Sequence, residues 1–178
     1  MTEQRPNKPT PRGDAKDVIA AQLETDLRGR GYKVVERDFA RPWGGFLKID
    51  NNQAPQFVAE YFAGVPLPKS TEGARLDPKL LVVDPKARLS WQVHERRGEY
   101  WRVVDGPVGA VLSETDEHPE EVRVFQNGET IDIPVGTRHR LVGLDERGTV
   151  AEIWINTDPK NPSDEADIRR ISDDSGRK

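Results

Sequence analysis

The chain predicts a single all-β domain, a sandwich or a barrel. Three observations lead there. Residues 79–156 hold a succession of short β-type runs: LLVV, LSWQVH, EYWRVV, VGAVLS, EVRVF, TIDI, RLVGL and TVAEIWIN. Turn residues separate them and no helical stretch intervenes, which is the pattern of antiparallel all-β folds. The length of 178 residues suits one domain with decorated ends.

The elements follow in order. Residues 1–13 contain three prolines and almost nothing apolar, and are expected to be a disordered tail. Over 14–28, Ile19, Ala20, Leu23 and Leu27 recur at helical spacing, with Asp14 or Asp17 near the N-cap and Gly29 and Gly31 beyond the end. That helix and a linker account for 14–40. The apolar stripe requires a partner surface, the main domain or a second subunit. Arg41-Pro42-Trp43-Gly44-Gly45-Phe46 reads as a turn-rich lead into a short strand, FVAEYFA (57–63) as a short helix, and 66–72 as loop. Turns are expected at Asp84-Pro85, Arg97-Gly98, Asp105-Gly106-Pro107, Asn127-Gly128 and Arg147-Gly148, with Asn127-Gly128 the strongest hairpin signal. The segment 163–171 has short helical character, with Ser163 as its cap.

Composition removes several chemistries. With no cysteine there is no disulfide, thiol nucleophile, iron–sulfur cluster or Cys-type zinc finger. A transition-metal site must draw on at most three histidines, helped by carboxylates or amides. Hydrophobic and charged residues make up 34% and 33%, so the core is modest. A net charge of -4 argues against a nucleic-acid partner. No apolar run approaches the roughly 18 residues of a membrane span, and the polar N-terminus lacks the apolar stretch of a signal peptide. A soluble cytoplasmic protein is expected.

In LSWQVH (89–94), alternation sets Leu89, Trp91 and Val93 on one face and Ser90, Gln92 and His94 on the other. The polar face meets either water or a polar pocket. A hairpin at Arg97-Gly98 brings Glu99 beside His94, and His139 opens a later run after Pro134 and Gly136. Gln92, His94, Glu99 and His139 together would offer two imidazoles, a carboxylate and an amide oxygen, a set suited to Zn²⁺ or another divalent ion with a position open for substrate. Ordinary hydrogen-bonded histidines are the plainer alternative.

The block 88–140 resembles a cupin. His94-x4-Glu99 and Gly128-x5-Pro134-x-Gly136-x2-His139 are similar to the two cupin motifs. Arg41-Pro42-Trp43-Gly44, Arg97-Gly98-Glu99-Tyr100-Trp101, Pro134 to Leu141 and the ending 167–177 resemble type II mannose-6-phosphate isomerases. LSWQVH is also similar to a type I phosphomannose isomerase signature, in which glutamine, histidine, glutamate and a later histidine hold zinc. The resemblance implies a cupin over 41–178, a double-stranded β-helix or jelly-roll barrel with an N-terminal helix and short accessory helices. It also implies metal ligands Gln92, His94, Glu99 and His139. Two departures stand out: His94-Glu95-Arg96 replaces a run of histidines, leaving Arg96 where a ligand is expected, and Gly143 stands where many cupins have asparagine.

The activity so implied is metal-dependent aldose–ketose isomerisation of a sugar phosphate, with mannose 6-phosphate and fructose 6-phosphate as the expected pair. Alternatives are isomerisation of a heptose phosphate or a free sugar, and a non-catalytic sugar- or sugar-nucleotide-binding protein. With about 40 residues before Arg41, no nucleotidyltransferase activity is expected of this chain. Such isomerisation requires a base, for which Glu95 and Glu152 are candidates, and a cation for the developing oxyanion. Lys79, Arg96, Arg97 and Arg140 are candidates for the phosphate, with Arg140 reaching a pocket only through a bend, because neighbours in a strand face opposite ways. A homodimer is expected from the resemblance and from the apolar helix.

Overall fold

The computed structural model describes residues 15–174 and 176. The expected tail at 1–13 and the capping candidate Asp14 lie outside them. Two antiparallel sheets face one another as a jelly roll. In chain order the elements are α1 (Lys16–Gly29), β1 (Val34–Arg41), β2 (Gly44–Ile49), α2 (Ala54–Tyr61), β3 (Lys79–Val83), β4 (Trp91–His94), β5 (Arg97–Asp105), β6 (Val108–Ser113), β7 (Arg123–Phe125), β8 (Thr130–Ile133), β9 (Arg138–Val142), β10 (Gly148–Asn156) and β11 (Ile168–Ser172). Six strands in the order β1-β2-β3-β10-β5-β8 form one sheet, and five in the order β11-β4-β9-β6-β7 form the other.

Alternation along each strand builds two apolar layers. Leu81 and Val83 on β3, Trp101 and Val103 on β5, Leu141 on β9 and Val150 on β10 meet between the sheets. Leu80, Val82, Ala151 and Ile153, one step out of phase on the same strands, point to the outer face of the larger sheet. Helices α1 and α2 cover that face with Ile19, Leu23, Leu27, Phe57 and Tyr61. The helix stripe therefore has its partner within the chain. Helix α1 starts after Ala15 with no side-chain cap, and Asp17 lies in its first turn, where its charge suits the helix dipole.

Three expectations are corrected. Residues 34–40 are strand rather than linker, because Val34 and Phe39 pack against the outer core while β1 pairs with β2. The segment 163–171 is not helical: a single 3-10 turn (Glu165–Asp167), capped by Asp164, leads into β11, which pairs with β4. Neither Asn127-Gly128 nor Arg97-Gly98 turns a hairpin. Gly128 does take a left-handed φ of +81°, but β7 pairs with β6 and β8 with β5, so this turn is a corner between sheets. Arg97 and Gly98 lie inside β5, and the bend falls at Glu95-Arg96. The chain there also changes sheet.

Candidate functional site

The corner at Glu95-Arg96 is tied down by a later segment. Asp167 accepts the backbone N–H groups of Glu95 and Arg96, each at 3.1 Å, and also the Ser163 hydroxyl. This places the inward face of β4 (Gln92, His94) against the inward face of β5 (Glu99, Trp101). Strand β9 brings His139 opposite Gln92. His94 Nε2 lies 3.1 Å from Glu99 Oε1, and His139 Nε2 lies 3.5 Å from Glu99 Oε2. The three side chains are buried, with one ligand atom from each inside a span of 4.8 Å. The Gln92 amide nitrogen stands 3.4 Å from His94 Nε2, and its oxygen accepts from Ser90.

His139 carries the sharpest geometric signal. Its Nδ1 faces the Thr137 carbonyl at 2.9 Å and so takes the proton that donates there. Nε2 then presents a lone pair toward the Glu99 carboxylate, buried and without a hydrogen-bond partner among the described residues. A lone pair facing a carboxylate needs a cation or a proton between them. The 3.1 and 3.5 Å spacings match the roughly 3.4 Å edge of a tetrahedron built on bonds of about 2.1 Å. Burial pushes the His94 imidazole toward its neutral form, assisted by Arg97 and His139 and opposed by Glu99. The neutral form is the one that ligates.

Arg97 competes for the same place. It is buried, donating from Nε to Glu99 Oε1 at 2.9 Å and from Nη1 to the Ser163 hydroxyl at 2.8 Å, with Nη2 3.1 Å from His94 Nε2. Its Cζ lies 3.5 Å from the centre of the Trp154 ring. Burial alone would raise the Glu99 carboxyl. The charges of Arg97 and His94 outweigh it and hold that carboxyl well below the usual range.

Glu152 on β10 faces the same cavity. Trp101 Nε1 lies between the two carboxylates, 3.0 Å from Glu152 Oε2 and 3.1 Å from Glu99 Oε2. Trp154 Nε1 donates to Glu152 Oε1 at 2.9 Å, and Lys79 Nζ is 3.7 Å away. Burial first, then the negative charge of Glu99, raise the Glu152 carboxyl to about 7, only partly offset by Lys79 and Arg97. Two carboxylates sharing one donor in a dry site split their affinities in this way. Burial pushes the Lys79 ammonium downward, and its Nζ lies 3.9 Å from the Trp154 ring centre.

The structure thus gathers Gln92, His94, Glu99, His139, Lys79 and Glu152, and it leaves three expected residues outside. Glu95 is exposed at the corner, one step past the inward-facing His94. Arg140 lies behind its sheet, because strand alternation turns it away from the face of His139 and no bend intervenes. There Arg140 donates to the Leu89 carbonyl at 2.8 Å. Arg96 is held by Asp164, Asn161 and the Pro162 carbonyl, away from the cavity. His118 is exposed on that same outer side, its ring 4.8 Å from Trp91. Sequence reasoning did not single out Arg41, Phe46 or Arg170, which also line the cavity. For Arg170 the missed signal was strand alternation in a segment read as helix.

A two-sheet jelly roll with histidine, glutamate and histidine aimed between its sheets defines a cupin. Residues 69–173, more than half of the chain, match the model of the family described as "Mannose-6-phosphate isomerase C-terminal", and the chain belongs to that family. A mannose-1-phosphate guanylyltransferase of Salmonella montevideo is 28% identical over 162 residues, 91% of this chain and 28% of the relative. The xanthan biosynthesis protein XanB of Xanthomonas campestris is 29% identical over 164 residues, 92% of this chain and 28% of the relative. The chain therefore spans little more than a quarter of the length of these curated relatives. Among solved structures, the capsular polysaccharide assembling protein CapF of Staphylococcus aureus superposes with a TM-score of 0.52 at 16% identity, covering 76% of this chain and 33% of that one; this likeness concerns the fold alone. No helix among the described residues is long and apolar enough to cross a membrane.

Proposed function

We propose that the chain is a metal-dependent aldose–ketose isomerase acting on a sugar phosphate, with mannose 6-phosphate and fructose 6-phosphate as the pair. One observation carries the reading: Glu152, raised to about 7, lines one cavity with Glu99 of the His94–Glu99–His139 cluster and with Lys79. The family and the names of the relatives support sugar-phosphate chemistry in general. His94, Glu99 and His139 would hold a divalent ion, probed first as Zn²⁺, with Gln92 as a further oxygen ligand. Bound there, the ion supplies Lewis-acid polarisation of the sugar carbonyl.

The chain's own residues do the remainder. Glu152 takes the proton from C2 as a base and returns it to C1, while Lys79 relays the hydroxyl proton from O2 to O1; a carboxyl poised near neutrality can both accept and donate. Trp101 and Trp154 hold its two oxygens by N–H donation at 3.0 and 2.9 Å, so the carboxylate keeps one orientation. Lys79 stands where its ammonium can stabilise the developing enediolate oxygen. The Trp43, Phe46 and Trp154 rings that line the cavity exclude water from the sugar carbons.

The test is a coupled assay of mannose 6-phosphate and fructose 6-phosphate interconversion in Zn²⁺, with E152Q and H139A. Each substitution is expected to lower kcat at least about a hundredfold. Activity retained in E152Q would remove Glu152 as the base. A second reading is a non-catalytic sugar or sugar-nucleotide binder. It is favoured by Arg97, whose guanidinium engages both His94 and Glu99, and by Arg96 in place of a ligand. Metal-free protein with no turnover, whatever ion is added, would select that reading.

A further inference from the structure

We propose that Arg41 and Arg170 form an anion clamp at the mouth of the cavity, where they take the terminal phosphate of the sugar. The inference rests on the sugar-phosphate reading of the cavity and names the side chains that read the phosphate.

The positions come from strand register. Arg170 on β11 lies opposite Gln92 on β4, and Gln92 lies opposite His139 on β9. Neighbouring strands are about 4.8 Å apart, so the Arg170 backbone is roughly 10 Å from that of His139. This is about the reach of a six-carbon sugar from its carbonyl end to a terminal phosphate. Alternation turns Ile168 and Arg170 into the cavity, while Arg169 points out to Asp116. Arg41, at the end of β1, reaches the same mouth across Phe46, with its Cζ 5.7 Å from that ring centre.

Arg170 has donor capacity to spare, its Nε buried without a hydrogen-bond partner among the described residues, while Arg41 is left its terminal nitrogens. Arg41 Nε has Asp38 as its ion-pair partner at 2.7 Å. The acid paired with Arg170 is Glu165, 3.8 Å away, with its side chain 75% exposed. The other basic residues are committed elsewhere: Arg97 to Glu99 and Ser163, Lys79 to Glu152 and Trp154, Arg96 to the 161–164 loop and Arg140 to the back of its sheet. At the inner end of the cavity the carboxylates of Glu99 and Glu152 already engage Arg97 and Lys79, whereas the arginine forks of Arg41 and Arg170 at the mouth fit a phosphate. A molecule with one dianionic end and one neutral polyol end enters in a single orientation.

The test is calorimetric binding of mannose 6-phosphate, mannose and GDP-mannose to the full chain, which does not depend on turnover. Wild type is expected to prefer mannose 6-phosphate over mannose by at least about tenfold. R41M and R170M should each reduce that preference several-fold, and the double variant should abolish it. E165Q, which frees Arg170, should raise it. Circular dichroism of each variant checks the fold, and E165Q keeps the proposal testable if the arginine variants fail to fold. Three results would overturn it: mannose 6-phosphate bound no tighter than mannose, a preference that survives in the double variant, or tight binding confined to GDP-mannose. A clamp-dependent preference in a protein without isomerase activity would sustain the clamp and remove the isomerase reading.

Discussion

Replacing Arg97 with methionine keeps a long apolar stem and deletes the charge. In the folded protein that charge balances Glu99, with Nε 2.9 Å from the carboxylate and both residues buried. Breaking a buried pair from one side costs about 3–5 kcal/mol, because the remaining ion has lost its water and its partner. The lower end of that range applies, since Trp101 Nε1 still lies 3.1 Å from Glu99. In EDTA, R97M should therefore lose about 3 kcal/mol. The assay is urea denaturation, with the midpoint falling and the slope unchanged. Zinc should restore most of the loss, because a ligand at a hundred times its dissociation constant adds about 2.7 kcal/mol. With Arg97 gone, His94 Nε2 is free to ligate, so wild type should gain less from the same zinc. A loss below about 1 kcal/mol in EDTA would refute the counter-charge argument. An equal response of both proteins to zinc would refute the competition between Arg97 and a metal.

Other outcomes follow from the same geometry. Glu152 binds its proton more tightly folded, at about 7, than at the ordinary value of 4.5. The folded state thus holds more protons between those values, so stability should fall as pH rises from 4.5 to 7, by up to about 3 kcal/mol. Denaturation of E152Q across that range should lack this contribution; an unchanged slope would contradict it. The backbone nitrogen of Gly143 donates to Ala87 at 2.7 Å, and a Cβ added there would lie 2.0 Å from the Asp84 carbonyl oxygen. G143N should therefore cost about 3 kcal/mol by thermal or urea unfolding, the upper end of the usual cost of overpacking. F57A, which empties a fully buried ring site among Tyr32, Tyr61 and Phe62, should cost about 3–5 kcal/mol and lower the urea midpoint. A near-neutral result would mean that α2 is not integral to the outer core.

Much of the architecture was legible because period-2 alternation survives folding unchanged. In Gln92 and His94 the faces assigned from spacing are the faces observed. The doubt over Arg140 also followed from alternation, and the residue is indeed turned away from His139. What could not be read was which strand pairs with which. Asn127-Gly128 has hairpin chemistry, yet the two strands it joins enter different sheets. Residues 168–172 are polar enough to pass for a helix end and become a strand because β4 offers a free edge.

The sequence by itself determined the fold class, the family resemblance and the inward set of Gln92, His94, Glu99 and His139, since motif spacing and side-chain alternation are local properties. Only the tertiary structure decided what surrounds that set. Arg97 sits against Glu99 and His94, Trp101 bridges two carboxylates, and Arg41 and Arg170 reach one cavity mouth from opposite ends of the chain. Such meetings depend on sheet pairing across long sequence separations, and the charge and protonation of each buried group depend in turn on those meetings.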